Sequence, residues 1–538
     1  MPNRLKLVIA LFTFGCVALP AGSARAQTIT VDTSQKQQVI EGLGGFGPAK
    51  PWWYDGPYFD QAWLDKLDDL GVTIVRTQLY WDFESKAKVF DLSASSSNGK
   101  QLDYLKAVQA KGMKILATVW SPPVWMKLNP NNALAPYCQG ECGGTLDPAH
   151  YQDFADFLVE YVKQMHAAGV DIYALNFANE PLFENPFESC VYTEQTYADV
   201  LKVVGAAFVK AGLTTKLFGP EHMGGADWNA GFFSKVLGDA NAAKYLSFYA
   251  VHSYTDGVAP DYGSADGWTQ LYAHASGAGK QLWMTETSDS DTTGWDKAFL
   301  MAKGLHLALR FGKISGWVYW YMAGDVMTTA PESAPTPLYY AFKQYYRYIR
   351  PGYVQVGSTT DDPAILPTAF ASGNGLTVVL INNGTSAKSA TVKLASGAVP
   401  TCDGYRTSSS ENAVAIGKIT GGSVSLPAQS ITTLFAADTS GVKPDGGGTG
   451  GSTVVTSTGG KAGTGGAGGG TGGSTVSASG GTVADGTVAD GAVAGSPGTS
   501  STSGKSGCSC GLARIPSANA VPMLGFLLGL LAMRRRRP

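Results

Sequence analysis

The chain has 538 residues, a formal net charge of −2, 15% charged residues and 11% aromatic ones. That near-neutral balance, with no basic stripe ahead of the C-terminal tail, argues against a nucleic-acid partner. Seven cysteines are too few for a disulfide scaffold, and six scattered histidines without His-Glu-x-x-His or Cys-x-x-Cys point to no metal and no cofactor.

Residues 1–26 read as an export signal: Arg4 and Lys6 are followed by an apolar run from Leu7 to Leu19 and by Ala24-Arg-Ala26 before Gln27. Residues 27–40 form a strand-like stretch, expected to join the C-terminal β-domain because chain ends often lie close together. The glycines of Ile40-Glu-Gly-Leu-Gly-Gly-Phe-Gly47 imply close backbone approach.

From 41 to 350 strands and helices alternate. Counting Ile40–Phe46 first, strands are predicted at Val72–Leu79, Met113–Val119, Asp171–Phe177, Lys216–Gly219, Leu246–Val251, Gln281–Thr285 and Ile314–Tyr321. Helices are predicted at Gln61–Leu70, Gln101–Ala110, His150–Ala168, Thr193–Ala211, Ala230–Leu237, Ala265–Ala275, Trp295–Phe311 and Tyr339–Tyr348, several of them stopped by glycine. Eight of each predict a closed (β/α)₈ TIM barrel.

Residues 351–438 change texture. Short runs at Phe370–Ala371, Leu376–Asn382, Ser389–Leu394, Ala413–Ile416, Gly422–Leu426 and Ile431–Ala436, set between Gly, Asn and Ser turns, predict a β-sandwich beside the barrel. Residues 439–507 are almost wholly Gly, Ser, Thr, Ala and Val, a composition expected to form a flexible linker. Residues 508–538 hold Cys508 and Cys510, an apolar run from Val521 to Met533 and four arginines. Thirteen apolar residues fall short of the roughly 20 that a spanning helix needs. The segment is expected to engage a sorting or membrane machinery, giving an exported protein, secreted or tethered to the outer cell surface.

Two glutamates carry the functional reading. Asn176-Phe-Ala-Asn-Glu-Pro181 and Leu282-Trp-Met-Thr-Glu286 each end an apolar strand with a carboxylate, at the barrel end where such folds place their chemistry. Glycosidic cleavage needs two carboxyl groups, one to give and take a proton and one to attack the anomeric carbon or activate water. Glu180 is assigned as acid/base and Glu286 as nucleophile, on strands four and seven, 106 positions apart. Asn179 is expected to reach a sugar 2-hydroxyl. His252 and Tyr254, closing strand six, are expected to orient Glu286 or bind sugar hydroxyls, with a structural histidine as the alternative, and Arg76, ending strand two, to pair with Glu286 at the substrate or as a purely structural ion pair. Trp53, Trp120 and Trp320 are candidate sugar platforms, or simply core. Glu221, in Gly219-Pro-Glu-His222, is the rival carboxylate, whereas Glu184 and Glu188 read as solvated. Cys138 and Cys142 are expected to pair with each other, or one of them with Cys190.

In order along residues 28–437, Gln38-Val-Ile-Glu-Gly-Leu-Gly-Gly45, Trp120-Ser-Pro-Pro-Val-Trp-Met-Lys127, Asn176–Pro181, Leu282–Thr287 and Tyr348-Ile-Arg-Pro-Gly-Tyr-Val354 resemble glycoside hydrolase family 30. The last of these and Leu426-Pro-Ala-Gln-Ser-Ile-Thr432 look most like its bacterial xylanase branch. The resemblance implies a barrel with a side β-sandwich, a retaining mechanism on the same two glutamates, and a β-linked polysaccharide or oligosaccharide substrate, first of all xylan. Glucuronoxylan-specific members carry an arginine just after strand eight. Here Tyr321-Met-Ala-Gly-Asp-Val326 has none, and its aspartate would repel a carboxylate, so strict glucuronate dependence is not expected. A β-1,6-glucan is the alternative substrate, and a non-catalytic carbohydrate-binding or adhesion protein is the alternative of another class. The segment after Cys508 is similar to the sorting tags called MYXO-CTERM.

Overall fold

The computed structural model describes residues 26–52, 55–255, 257–261, 263–288, 292–327 and 335–440. Trp53, the C-terminal segment, and all but the margins of the export signal and linker lie outside these residues. Among the described residues no helix is long and apolar enough to cross a membrane.

Strand β1 (Gln27–Val39) precedes the barrel, whose first strands are β2 (Gly42–Phe46), β3 (Ile74–Leu79) and β4 (Lys114–Val119). A two-stranded hairpin, β5 (Lys127–Leu128) with β6 (Thr145–Leu146), interrupts the alternation and was not legible in the sequence. The barrel continues through β7 (Ile172–Asn176), β8 (Lys216–Met223), β9 (Leu246–His252), β10 (Gln281–Glu286) and β11 (Gly316–Tyr319), and closes with β11 parallel to β2. Its eight strands follow chain order around the ring, as right-handed β–α–β connections require.

The ring is filled, not hollow. Ile74, Leu116, Ala174, Phe218, Phe248, Ala250, Trp283 and Val318 form one internal apolar cluster. Two glycines make room for it. A Cβ on Gly44 would lie 1.8 Å from the Ile74 carbonyl oxygen, and one on Gly316 would lie 2.2 Å from the Trp283 ring. The glycine-rich first strand thus reflects close backbone approach. At the opposite end from the site, Lys114 donates to Glu41 at 2.6 Å and Lys216 to the Tyr173 hydroxyl at 2.7 Å, and both ammonium groups lie over the Tyr173 ring. This polar plug closes the bottom face, where barrels put stability ahead of chemistry.

The β-domain is one nine-stranded sheet. It comprises β1 with β12 (Val354–Thr360), β13 (Ile365–Ser372), β14 (Gly375–Asn382), β15 (Lys388–Leu394), β16 (Cys402–Ser408), β17 (Glu411–Ile419), β18 (Ser423–Leu426) and β19 (Ser430–Ala436). Strand β1 runs antiparallel to β12 and parallel to β15, and Ile29, Val31, Val378, Val392, Leu426 and Leu434 pack in the core over which the sheet folds. Strands β12 and β16 were missed because Val354–Thr360 and Cys402–Ser408 each carry a glycine among mostly polar residues that read as turn. The sheet is tied to the barrel by Gln344, whose Nε2 donates to Thr407 Oγ1 at 2.8 Å and whose carbonyl accepts from Thr433 Oγ1 at 2.8 Å. Tyr348 stacks on Tyr405 at 4.7 Å.

Candidate active site

The ends of β3, β4, β7, β8, β9 and β10 bring one cationic and carboxylate-rich cluster to the mouth of the barrel. Arg76 is its hub. The side chain lies inside β3, not at its end, and is fully buried, its guanidinium 4.7 Å over the Trp120 ring. Nη1 donates to Glu286 Oε2 at 2.5 Å, while Nη2 donates to Asn179 Oδ1 at 2.8 Å and to Glu221 Oε2 at 3.2 Å. A planar five-donor fork can serve three acceptors in this way, and an ammonium cannot.

Glu286 closes β10 and is 7% exposed. Besides Arg76, it accepts from the Tyr254 hydroxyl through Oε1 at 2.8 Å. Glu180 follows β7 with a left-handed backbone, φ +47°, and is 6% exposed. A non-glycine residue there costs of order 1–3 kcal/mol and persists only where its surroundings hold it. Asn176 provides part of that hold, donating to the Ala178 carbonyl at 2.6 Å, and the Asn179 amide donates to the Val119 carbonyl at 2.8 Å. Glu180 Oε1 stands 3.0 Å from His252 Nδ1, whereas among the described residues Oε2 has the Asn185 amide alone, at 3.5 Å. One carboxylate oxygen of Glu180, one of Glu286 and a ring nitrogen of His252 all lie within 4.8 Å of one another.

Glu221 turns out to be a counter-ion. Strand β8 runs on past Pro220 through a register shift, and Glu221 sits there at φ +59° with no exposed surface. Its Oε2 accepts from Thr118 Oγ1 at 2.8 Å and Asn176 Nδ2 at 2.9 Å as well as from Arg76. Burial works to raise its pKa, but Arg76, His252 and Asn176 outweigh burial and bring it down to about 2. Burial likewise opposes a charge on His252, yet Glu286, Glu180 and Glu221 outweigh it and lift His252 to about 9. Burial pushes Glu286 above the ordinary carboxylate value. His252, Arg76 and the Tyr254 hydroxyl oppose that rise, and the charge of Glu180 adds to it. The cluster therefore holds two cations, Arg76 and protonated His252, against three carboxyls. A neutral balance is reached when one of the three carboxyls keeps a proton.

Trp120 is 6% exposed and lies beneath Arg76, so it supports the guanidinium more than it offers a face. Trp320 is half-buried on Phe46, ring centroids 4.1 Å apart, and adjoins Tyr321, which sequence reasoning did not single out. Cys138 and Cys142 form the disulfide, and Cys190 is a free buried thiol whose pKa burial raises to about 11. Glu184 braces a loop by accepting from Asn131 Nδ2 at 3.0 Å. Thr118 and Asn176 were missed as site residues because each reads as ordinary strand from sequence. Their signal was positional, since both share the site end of the barrel with Arg76.

Residues 76–333 match the family model "Glycosyl hydrolase family 30 TIM-barrel domain". The chain is 24% identical to Glucuronoxylanase XynC of Bacillus subtilis over 448 residues, covering 80% of this chain and 98% of that one. It is 31% identical to an endo-1,6-beta-D-glucanase of Neurospora crassa over 230 residues, 40% of this chain and 43% of that one. The crystal structure of the glycoside hydrolase family 30 subfamily 8 xylanase Xyn30A from Clostridium acetobutylicum superposes with a TM-score of 0.63 at 25% identity, covering 76% of this chain and 99% of that one.

Proposed function

Because the chain carries a glycosyl hydrolase family 30 TIM-barrel domain and is a glycoside hydrolase, we propose that it is an exported, retaining endo-β-1,4-xylanase that does not require glucuronate side groups. The carrying observation is the separation of the two carboxyls. One oxygen of each lies within 4.8 Å of the other, nearer to the about 5–5.5 Å between the carboxyls of a double displacement than to the about 6.5–9.5 Å that accommodates an attacking water.

In the first step a Glu286 oxygen attacks the anomeric carbon, the bond to the leaving oxygen breaks, and Glu180 Oε2 gives that oxygen its proton. In the second step water attacks the same carbon, Glu180 takes the water's proton, and the ester to Glu286 breaks. With Glu180 protonated, its charge no longer adds to the rise at Glu286; burial still works against ionisation there, while His252 and Arg76 favour the ionised form that attacks. With Asn179 Oδ1 turned to Arg76, its Nδ2 is the donor left for a sugar 2-hydroxyl. Such a contact strengthens in an oxocarbenium-like transition state. His252 then stabilises Glu180 in its base form through the 3.0 Å contact at Oε1.

The relatives named as xylanases support xylan as the substrate. The absence of arginine and lysine from Tyr321 to Pro337 supports independence from glucuronate. The endo-1,6-glucanase relative favours a second reading, cleavage of β-1,6-glucan by the same two residues. Reducing-sugar release from plain xylan, glucuronoxylan, arabinoxylan, β-1,6-glucan and β-1,3-glucan tests both. Comparable rates on plain and glucuronate-bearing xylan are expected. Activity confined to glucuronoxylan would refute the independence, activity confined to β-1,6-glucan would select the second reading, and silence on all five would refute hydrolysis of these glycans.

A further inference from the structure

The two oxygens of Glu180 meet different neighbours. Oε1 stands 3.0 Å from Nδ1 of His252. Protonated His252 can only donate there, so Oε1 is an acceptor and the acid's own proton falls to Oε2. The side-chain amide of Asn185 reaches that second oxygen, with Nδ2 3.5 Å from Oε2. Asn185 is 4% exposed, and the two-carboxylate chemistry does not use it.

Asn185 lies outside every helix and strand, yet it is firmly anchored. Its backbone amide donates to Ser189 Oγ at 3.1 Å, and the Ser189 hydroxyl shares its proton between the Asn185 and Phe187 carbonyls at 3.1 and 3.0 Å. The same hydroxyl accepts from the Gly143 amide at 2.9 Å. Ser189 is itself tied to the segment that joins β5 to β6. Its amide donates to the Glu141 carbonyl at 3.0 Å, and its carbonyl accepts from Lys127 Nζ at 2.8 Å. Serine and asparagine often staple loops in this way. Stapling accounts for the Asn185 backbone and for Ser189. It does not account for the Asn185 side chain, whose amide meets the acid.

The chemistry of that amide suits a group that gives up a proton. The hydroxyl oxygen of a carboxylic acid is a weak acceptor, whereas a carboxylate oxygen is a strong one. The contact is long now, at the outer limit of a hydrogen bond. Contacts of catalytic groups often tighten only as the reaction proceeds. A cation in this place would favour the ionised form from the outset. A neutral amide gives its full bond only as the proton leaves, and an interaction stronger in the transition state than in the ground state raises the rate.

We propose that Asn185 is a positioning residue for the acid: its amide orients Glu180 Oε2 toward the leaving oxygen and stabilises the carboxylate that forms there in the first step. This role rests on the acid function of Glu180 given above.

The test measures kcat/KM, which reports the first step, on aryl β-glycosides of the sugar the enzyme cleaves, with leaving phenols from strongly to weakly acidic. Parent, Asn185→Ala and Asn185→Asp are compared, and Asn185→Ala is also made in Glu180→Gln. Asn185→Ala is expected to lose about tenfold on the least acidic phenol and far less on the most acidic one, so that the dependence on leaving-group acidity steepens. Asn185→Asp keeps the shape but puts an acceptor in place of the donor, and it should lose at least as much even if alanine disturbs the loop. In Glu180→Gln, where no proton is transferred, Asn185→Ala should cause no further loss. Equal losses on all phenols, the same loss in Glu180→Gln, or parental rates in Asn185→Asp would each overturn the proposal and leave Asn185 a loop staple. A Glu180→Gln enzyme with the parent's own dependence on leaving-group acidity would instead refute the acid role of Glu180, and the proposal with it.

Discussion

Arg76 Nη1 and Glu286 Oε2 lie 2.5 Å apart with the guanidinium fully buried, and the same side chain reaches Glu221 and Asn179. One cation therefore pairs with two buried carboxylates and orients a neighbouring amide. Removing it leaves His252 alone, among the described residues of the cluster, against three carboxyls. Arg76→Met is expected to lower stability by about 3–5 kcal/mol and to abolish turnover. Arg76→Lys keeps the charge but loses the fork, and should melt between the two while losing most of its activity. Thermal unfolding at neutral pH decides this, and an Arg76→Met protein melting with the parent would show that the network does not hold the fold.

Glu180 and Glu286 should fail in different ways. Glu286→Gln removes the attacking oxygen, and loss of turnover by several orders of magnitude is expected on every substrate. Glu180→Gln removes only proton transfer. On an aryl glycoside whose leaving group needs no proton, the first step should survive and the second should stall. A burst of released phenol followed by a slow steady rate is the expected trace. A burst from Glu286→Gln, with none from Glu180→Gln, would exchange the two roles.

Much of this arrangement was legible because strand ends in a barrel are local events. Glycine and proline marked the stops, and the two glutamates stood directly after apolar runs. The alternation of periods was enough for the barrel, and both carboxylates do meet at its mouth. What was not legible depends on contacts across the ring. Pro220 reads as a strand end because it cannot donate, yet β8 runs on through a shift in register and carries Glu221 into the pit. That depth changes Glu221 from a rival acid to a permanent counter-ion, and only the position of Arg76 decides it. Trp120 and Trp320 look alike in sequence, but Trp120 lies under the guanidinium while Trp320 stays half-open. The stack of Phe183 on Trp228 was unreadable for the same reason, because the two rings lie 45 positions apart, one in a loop and one in a helix.

The Cys138–Cys142 disulfide closes a very short loop. In the chain-entropy picture a loop of this size contributes about 2 kcal/mol. Its surroundings are held independently, since Lys127 Nζ donates to the Glu141 and Ser189 carbonyls at 2.9 and 2.8 Å and to Ser121 Oγ at 3.0 Å. Mild reduction, or Cys138→Ser with Cys142→Ser, should lower the unfolding temperature by only a few degrees, whereas Lys127→Met should destabilise more. Hydrogen exchange over residues 121–146 checks both. A reduced protein more exposed there than Lys127→Met would reverse the ranking.

Stability should peak near neutral pH, for reasons that pull from both sides. His252 is raised from its ordinary 6.5 to about 9 in the fold. Its contribution, on the order of 3 kcal/mol, is fully present below pH 6.5 and is lost as pH rises through 9. His306, 2.7 Å from Thr368 Oγ1 at the junction with the β-sheet, is lowered to about 3 by burial and by Arg310. His222 is lowered to about 4. For these two the contribution is present above pH 6.5 and is lost as pH falls through 4 and 3. Lys127, which burial brings down to about 8, has the opposite sign to His252 and favours the fold only as pH climbs through 8 toward 10.5, so each variant is compared with its parent at every pH. His252→Gln should melt lower overall and flatten the limb between pH 6.5 and 9. His306→Leu should flatten the limb between pH 6.5 and 3 and leave the alkaline one alone. Unfolding temperatures across pH 3–9.5 provide the comparison, and a His252→Gln protein that loses stability above pH 6.5 as steeply as the parent would mean that the imidazolium is not what the three carboxylates hold.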